Sequence, residues 1–78
     1  MIFMKRLFSG GHTREFVVDN PGENGWEVRE AQDNRVVKRS WLHDWERVEN
    51  TMTRFAIEAM QLERDGWVEL QNPASSIV

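Results

Sequence analysis

The stretch DWERVENTMTRFAIEAMQLERDG, residues 44–66, decides the fold. Its apolar residues Trp45, Val48, Met52, Phe55, Ala59 and Leu62 recur at alternating steps of three and four, which lines them along one stripe of an amphipathic helix. The pattern predicts a helix over about residues 44–65, some 20 residues and roughly 30 Å long at ~1.5 Å per residue. Ser40 or Asp44 supplies the N-terminal cap, and Gly66 stands where a left-handed residue ends a helix. Beyond it, residues 67–71 (Trp67, Val68, Glu69, Leu70, Gln71) alternate in polarity and read as a short final strand, with Pro73 ending it and residues 72–78 forming a flexible tail.

Upstream of the helix the period changes from 3.6 to 2. Residues 26–31 and 35–41 flank Gln32-Asp33-Asn34, and Asp-Asn tolerates the positive φ angles of a two-residue hairpin turn. A straight register from that turn faces Trp26 with Trp41, Val28 with Arg39, and Glu30 with Val37, leaving Glu30 within reach of Arg35 and Arg39. The opposite side then pairs Glu27 with Ser40, Arg29 with Lys38, and Ala31 with Val36, a polar surface. Trp26, Trp41 and Trp45 would form one aromatic cluster between helix and hairpin, with Trp67 pinning the helix end.

A second hairpin, residues 2–8 and 13–19, closes on Gly10-Gly11, placing Arg6 opposite Glu15 and Phe3 opposite Val18. Residues 20–25, dense in Asn, Pro and Gly, form the surface loop between the hairpins. The expected fold class is therefore α+β: a small, mostly antiparallel sheet against one long helix, in the order β-β-β-β-α-β, as a single domain over residues 1–71.

The first hairpin is apolar on both sides. Phe3, Leu7, Phe16 and Val18 share one side, and Ile2, Met4, Phe8 and Val17 the other. One helix covers one face of a sheet, so one of these sets needs another cover. That reasoning makes Ile2, Met4, Phe8 and Val17 a candidate interaction surface.

Composition narrows the function classes. A chain of 78 residues builds a modest core, and without cysteine it has neither disulfides nor thiolate metal ligands to reinforce it. Lys5 and Arg6 interrupt and follow the apolar start, the reverse of a signal peptide, and no run approaches membrane-spanning length, so a cytoplasmic protein without membrane association is expected. Net charge is −3, unevenly spread: residues 1–43 carry seven Lys/Arg against six Asp/Glu, and residues 44–78 three against seven.

Candidate chemistry is sparse. Ser9-Gly10-Gly11-His12 leads into a strand, not into the helix a phosphate loop feeds, and so reads as a turn. His12 and His43 lack the spacing of a metal pair, and the helix carboxylates complement its dipole, so no catalytic, metal or cofactor site is expected. The basic residues offer one patch, Arg29 with Lys38, diluted by Glu27.

The leading expectation is a non-catalytic protein-interaction module whose partner is another protein or a second copy of itself, a homodimer formed through the sheet face the helix leaves uncovered. The alternative is a nucleic-acid-associated or regulatory protein using basic sheet residues. An accessory subunit of an enzyme is the third.

Overall fold

The computed structural model describes residues 2–70. Four strands, β1 (Phe3–Ser9), β2 (His12–Asp19), β3 (Trp26–Gln32) and β4 (Arg35–Leu42), precede one helix, α1 (Trp45–Arg64), and a two-residue strand, β5 (Val68–Glu69). They form one antiparallel sheet in the order β4-β3-β2-β1-β5, so the chain after α1 returns to the outer side of β1. This is the expected α+β order; the final strand is shorter than expected, and the tail assigned to residues 72–78 lies outside the described residues. Among the described residues no helix is long and apolar enough to cross a membrane.

The turn chemistry acts as the sequence implies. Gly10 and Gly11 take φ of 55° and 83°, and Asp33 and Asn34 take 53° and 67°, the positive values that let a two-residue turn follow the twist of its strands. The first hairpin keeps the straight register throughout, with Phe3 opposite Val18 and Arg6 opposite Glu15.

The second hairpin departs from it. Gln32 faces Arg35 and Ala31 faces Val36, but the register then shifts, so that Val37 is the extra residue of a β-bulge. Beyond the bulge Glu30 faces Lys38, Arg29 faces Arg39, Val28 faces Ser40, Glu27 faces Trp41, and Trp26 faces Leu42. A one-residue shift exchanges the two faces of a strand, and counting from the turn does not reveal it. Trp41 is therefore directed away from α1 and is 48% exposed, while Leu42 packs on the core. The three-tryptophan cluster reduces to Trp26 and Trp45, whose ring centroids lie 5.5 Å apart.

The helix covers the Phe3, Leu7, Phe16, Val18 side. Leu7, Phe16, Val18 and Val28 from the sheet meet Val48, Phe55 and Ala59 from α1, and Phe3, Trp26, Leu42, Met52, Leu62 and Trp67 close the rim. The Phe55 ring lies 5.2 Å from Phe16 and 6.1 Å from Phe3, both in tilted arrangements. Thr51 is buried within this layer with its hydroxyl satisfied, donating to the Arg47 carbonyl at 2.9 Å.

Both helix ends are closed. The Asp44 carboxylate accepts from the Glu46 amide at 3.0 Å. At the other end Gly66, at φ 100°, donates its amide to Glu63 and the Trp67 amide reaches Leu62, the paired bonds of a Schellman closure that lays Trp67 against the core. At the far end of the sheet from the hairpin turns, Gly25 (φ 99°) passes close to β4; a Cβ there would overlap the Leu42 carbonyl oxygen and stand 2.8 Å from His43 Nδ1. Only glycine fits that crossing.

The two hairpin turns lie side by side and are tied together. The Asp33 amide donates to the Thr13 carbonyl at 2.9 Å, and the Asp33 carboxylate accepts from the Thr13 amide at 3.0 Å and stands 3.2 Å from His12 Nδ1. The Thr13 amide first, and His12 second, hold the Asp33 carboxyl below its ordinary value.

Two outcomes follow. Phe55→Ala destabilises the fold by about 3–5 kcal/mol and Trp41→Ala by less than about 1 kcal/mol in urea unfolding, whereas the straight register would make both changes costly. The stabilisation from the lowered Asp33 carboxyl is present above the unfolded-state carboxylate value and is lost as pH falls through the lower folded value. Asp33→Asn, which keeps the positive φ accessible, removes that part of the acid dependence in urea midpoints measured against pH.

Candidate interaction face

Strand alternation directs Met4, Arg6 and Phe8 of β1, Glu15 and Val17 of β2, Glu27 and Arg29 of β3, and Arg39 and Trp41 of β4 to the side away from α1. No element among the described residues covers this side. Ile2, Met4 and Phe8 are each 42% exposed, and Trp41 and Val68 are also open.

Val17 differs from the rest of the candidate set. It is 1% exposed, lying in the register between Met4 and Arg29 at the middle of the sheet, where neighbouring long side chains close over it. Three of the four expected residues thus form the open apolar rim, and Val17 forms its floor.

The charges on this face are organised around Glu27, whose side chain is 12% exposed. Its carboxylate stands 2.8 Å from Arg29 Nη1 and 3.0 Å from Arg39 Nε, bridging two guanidiniums that face each other across β3 and β4. Arg6 Nε pairs with Glu15 at 3.1 Å. With Asp19 at the strand end, three arginines meet three carboxylates, so the face is balanced although the chain carries −3.

The expected basic patch does not form. The bulge puts Lys38 on the helix side, opposite Glu30, while Arg29 lies on the open side, held by Glu27. Glu30 correspondingly faces neither Arg35 nor Arg39, and Arg39 pairs with Glu27 instead. What sequence reading missed here is Glu27 as a shared acceptor. The i, i+2 spacing of Glu27 and Arg29 was a visible signal, but the arrival of Arg39 depends on the bulge.

The histidines lie at opposite ends of the sheet, His12 against Asp33 and His43 beside Gly25. His43 borders an open cleft of about 760 Å³ with Asn20, Glu23, Asn24 and Trp26. With the Asn20 amide assigned so that its nitrogen faces the loop carbonyls, it donates to Gly22 at 2.6 Å and Gly25 at 3.0 Å and braces the loop beside that cleft from within. A smaller depression of about 280 Å³ lies on the open sheet face between Arg6, Glu15, Arg29 and Val36.

Compared with protein-family models, with curated proteins and with solved structures, the chain matches none.

Removing the shared acceptor leaves Arg29 and Arg39 in register without a counter-charge. Glu27→Ala lowers stability by about 1–2 kcal/mol, less than a fully buried pair would lose because Arg39 remains half exposed. Urea denaturation at low and moderate salt checks the value.

Proposed function

We propose that this protein is a small non-catalytic interaction module that pairs with a second copy of itself through the sheet face away from α1. The observation that carries the reading is that face itself: Ile2, Met4, Phe8, Trp41 and Val68 stand open around a centre whose charges are already paired.

Three physical arguments favour a second copy as the partner. A closed two-fold pair brings each face against its own duplicate, so a strongly charged face would repel itself; this one is balanced. The pairing around Glu27 also reduces the cost of removing water, because the arginines keep a counter-charge in the dry interface. Four strands of seven or eight residues and the two-residue β5, at about 4.8 Å spacing, present roughly 500 Å² in projection, and more as accessible side-chain surface, against the ~800 Å² per partner of a standard interface.

The sheet edges direct association toward the face. β4 carries Arg35, Lys38 and Arg39 and the bulge at Val37, features that oppose strand addition, and β5 is two residues long. A nucleic-acid role for the same face is weaker, because phosphate would compete with Glu27 for Arg29 and Arg39.

Sedimentation over a micromolar to millimolar range is expected to show a monomer–dimer equilibrium. The Met4→Glu, Trp41→Glu double variant weakens it at least about tenfold, as burying two new charges costs more than the ~1.4 kcal/mol that factor represents. Ile57→Glu, on the exposed side of α1, leaves it unchanged. A strict monomer at millimolar concentration overturns the reading.

A further inference from the structure

The helix packs most closely on β1 and less on β2 and β4, and leaves the β3–β4 half of its own side partly open. The groove that results, about 360 Å³, runs between α1 and β4. Its helix wall is the stripe Arg47, Asn50 and Arg54, residues at steps of three and four that share one face. Its strand wall is Lys38 and Ser40, which the bulge turns to this side, and Val28 and Leu42 form an apolar floor.

The charges here contrast with those of the other sheet face. Arg6, Arg29 and Arg39 each have a carboxylate partner, as does Lys5 with Glu69 at 3.0 Å. Lys38, Arg47 and Arg54 form no ion pair with any described carboxylate. Glu30 lies beside Lys38 and Arg54 in a small adjoining depression without pairing with either, so the three groove cations have one carboxylate neighbour. In an acidic chain, three unpaired cations are gathered around one depression.

We propose that this groove is a binding site for a phosphate-bearing small molecule. Lys38 and the two guanidiniums offer only donors, Ser40 and Asn50 add neutral ones, and the ligand must be rich in acceptors and negative charge. A phosphate group carries about −1.5 to −2 and three acceptor oxygens, which matches the excess of cations, whereas a carboxylate brings one charge. The volume lies within the ~300–1,000 Å³ of small-molecule sites, and the floor of Val28 and Leu42 accommodates an uncharged portion of the ligand. The site is on the opposite side of the sheet from the self-association face and stands independently of it.

The test is titration of the isotope-labelled full chain with inorganic pyrophosphate at constant ionic strength, followed by amide shifts. Saturable shifts confined to residues 38–42 and 47–54 are expected, and the Met4→Glu, Trp41→Glu variant shows them equally. Lys38→Gln with Arg47→Gln, both exposed, weakens binding at least about tenfold, and Glu30→Gln tightens it about threefold by removing the opposing charge. A nucleoside monophosphate binding with the same residues shifted, plus Val28 and Leu42, supports an organic phosphate over the free ion. No saturable shift at millimolar pyrophosphate, unchanged binding in the double variant, or tighter binding of a short single-stranded oligonucleotide with shifts on both sheet faces overturns the proposal.

Discussion

The Phe55 ring, set between Phe16 and Phe3, is the contact on which the rest of the molecule depends. A sheet with one covering helix has one layer of core, and here it is Leu7, Phe16, Val18 and Val28 against Val48, Phe55 and Ala59. Each large side chain buried there contributes about 1.5–3 kcal/mol, and no disulfide adds to it. Helix placement over β1 and β2, the return of β5 to β1, and the seating of Trp67 by the helix closure all follow from covering that layer.

Among the described residues, the same economy leaves two surfaces without a covering element. On the far side of the sheet, Val17 is closed over by its neighbours, and the arginines are neutralised by Glu15 and Glu27. On the helix side, the β3–β4 half remains a groove whose cations have no such partners. One sheet thus presents a balanced, partly apolar face and an unbalanced, donor-rich groove. Their physics differ: the first favours a surface that loses water readily, the second an anion.

The β-bulge at Val37 separates these two characters. It sends Trp41 to the open face and Leu42 to the core rim, and it exchanges the sides of Lys38 and Arg39, giving Arg39 to Glu27 and Lys38 to the groove. Without the extra residue, Arg29 would face Lys38 across the open side, and Arg39, opposite Val28, would stand on the groove side in its place. A single unpaired residue in one hairpin sets the chemistry of both faces.

The sequence by itself determined the elements, because each has a local cause. The Trp45 to Leu62 stripe, the Asp44 cap and Gly66 define α1; Gly10-Gly11 and Asp33-Asn34 define the turns; and the first register follows from the turn alone. It also set Ile2, Met4, Phe8 and Val17 on the side opposite Phe3, Leu7, Phe16 and Val18, though it did not show that Val17 is buried while the other three stand open. Tertiary structure decided which set α1 covers, where β4 slips, and which cations find carboxylates. These depend on residues distant in the chain meeting across the sheet, Glu27 with Arg39 and Leu42 with Trp26, and one bulge reverses every facing that a count from the turn assigns beyond it.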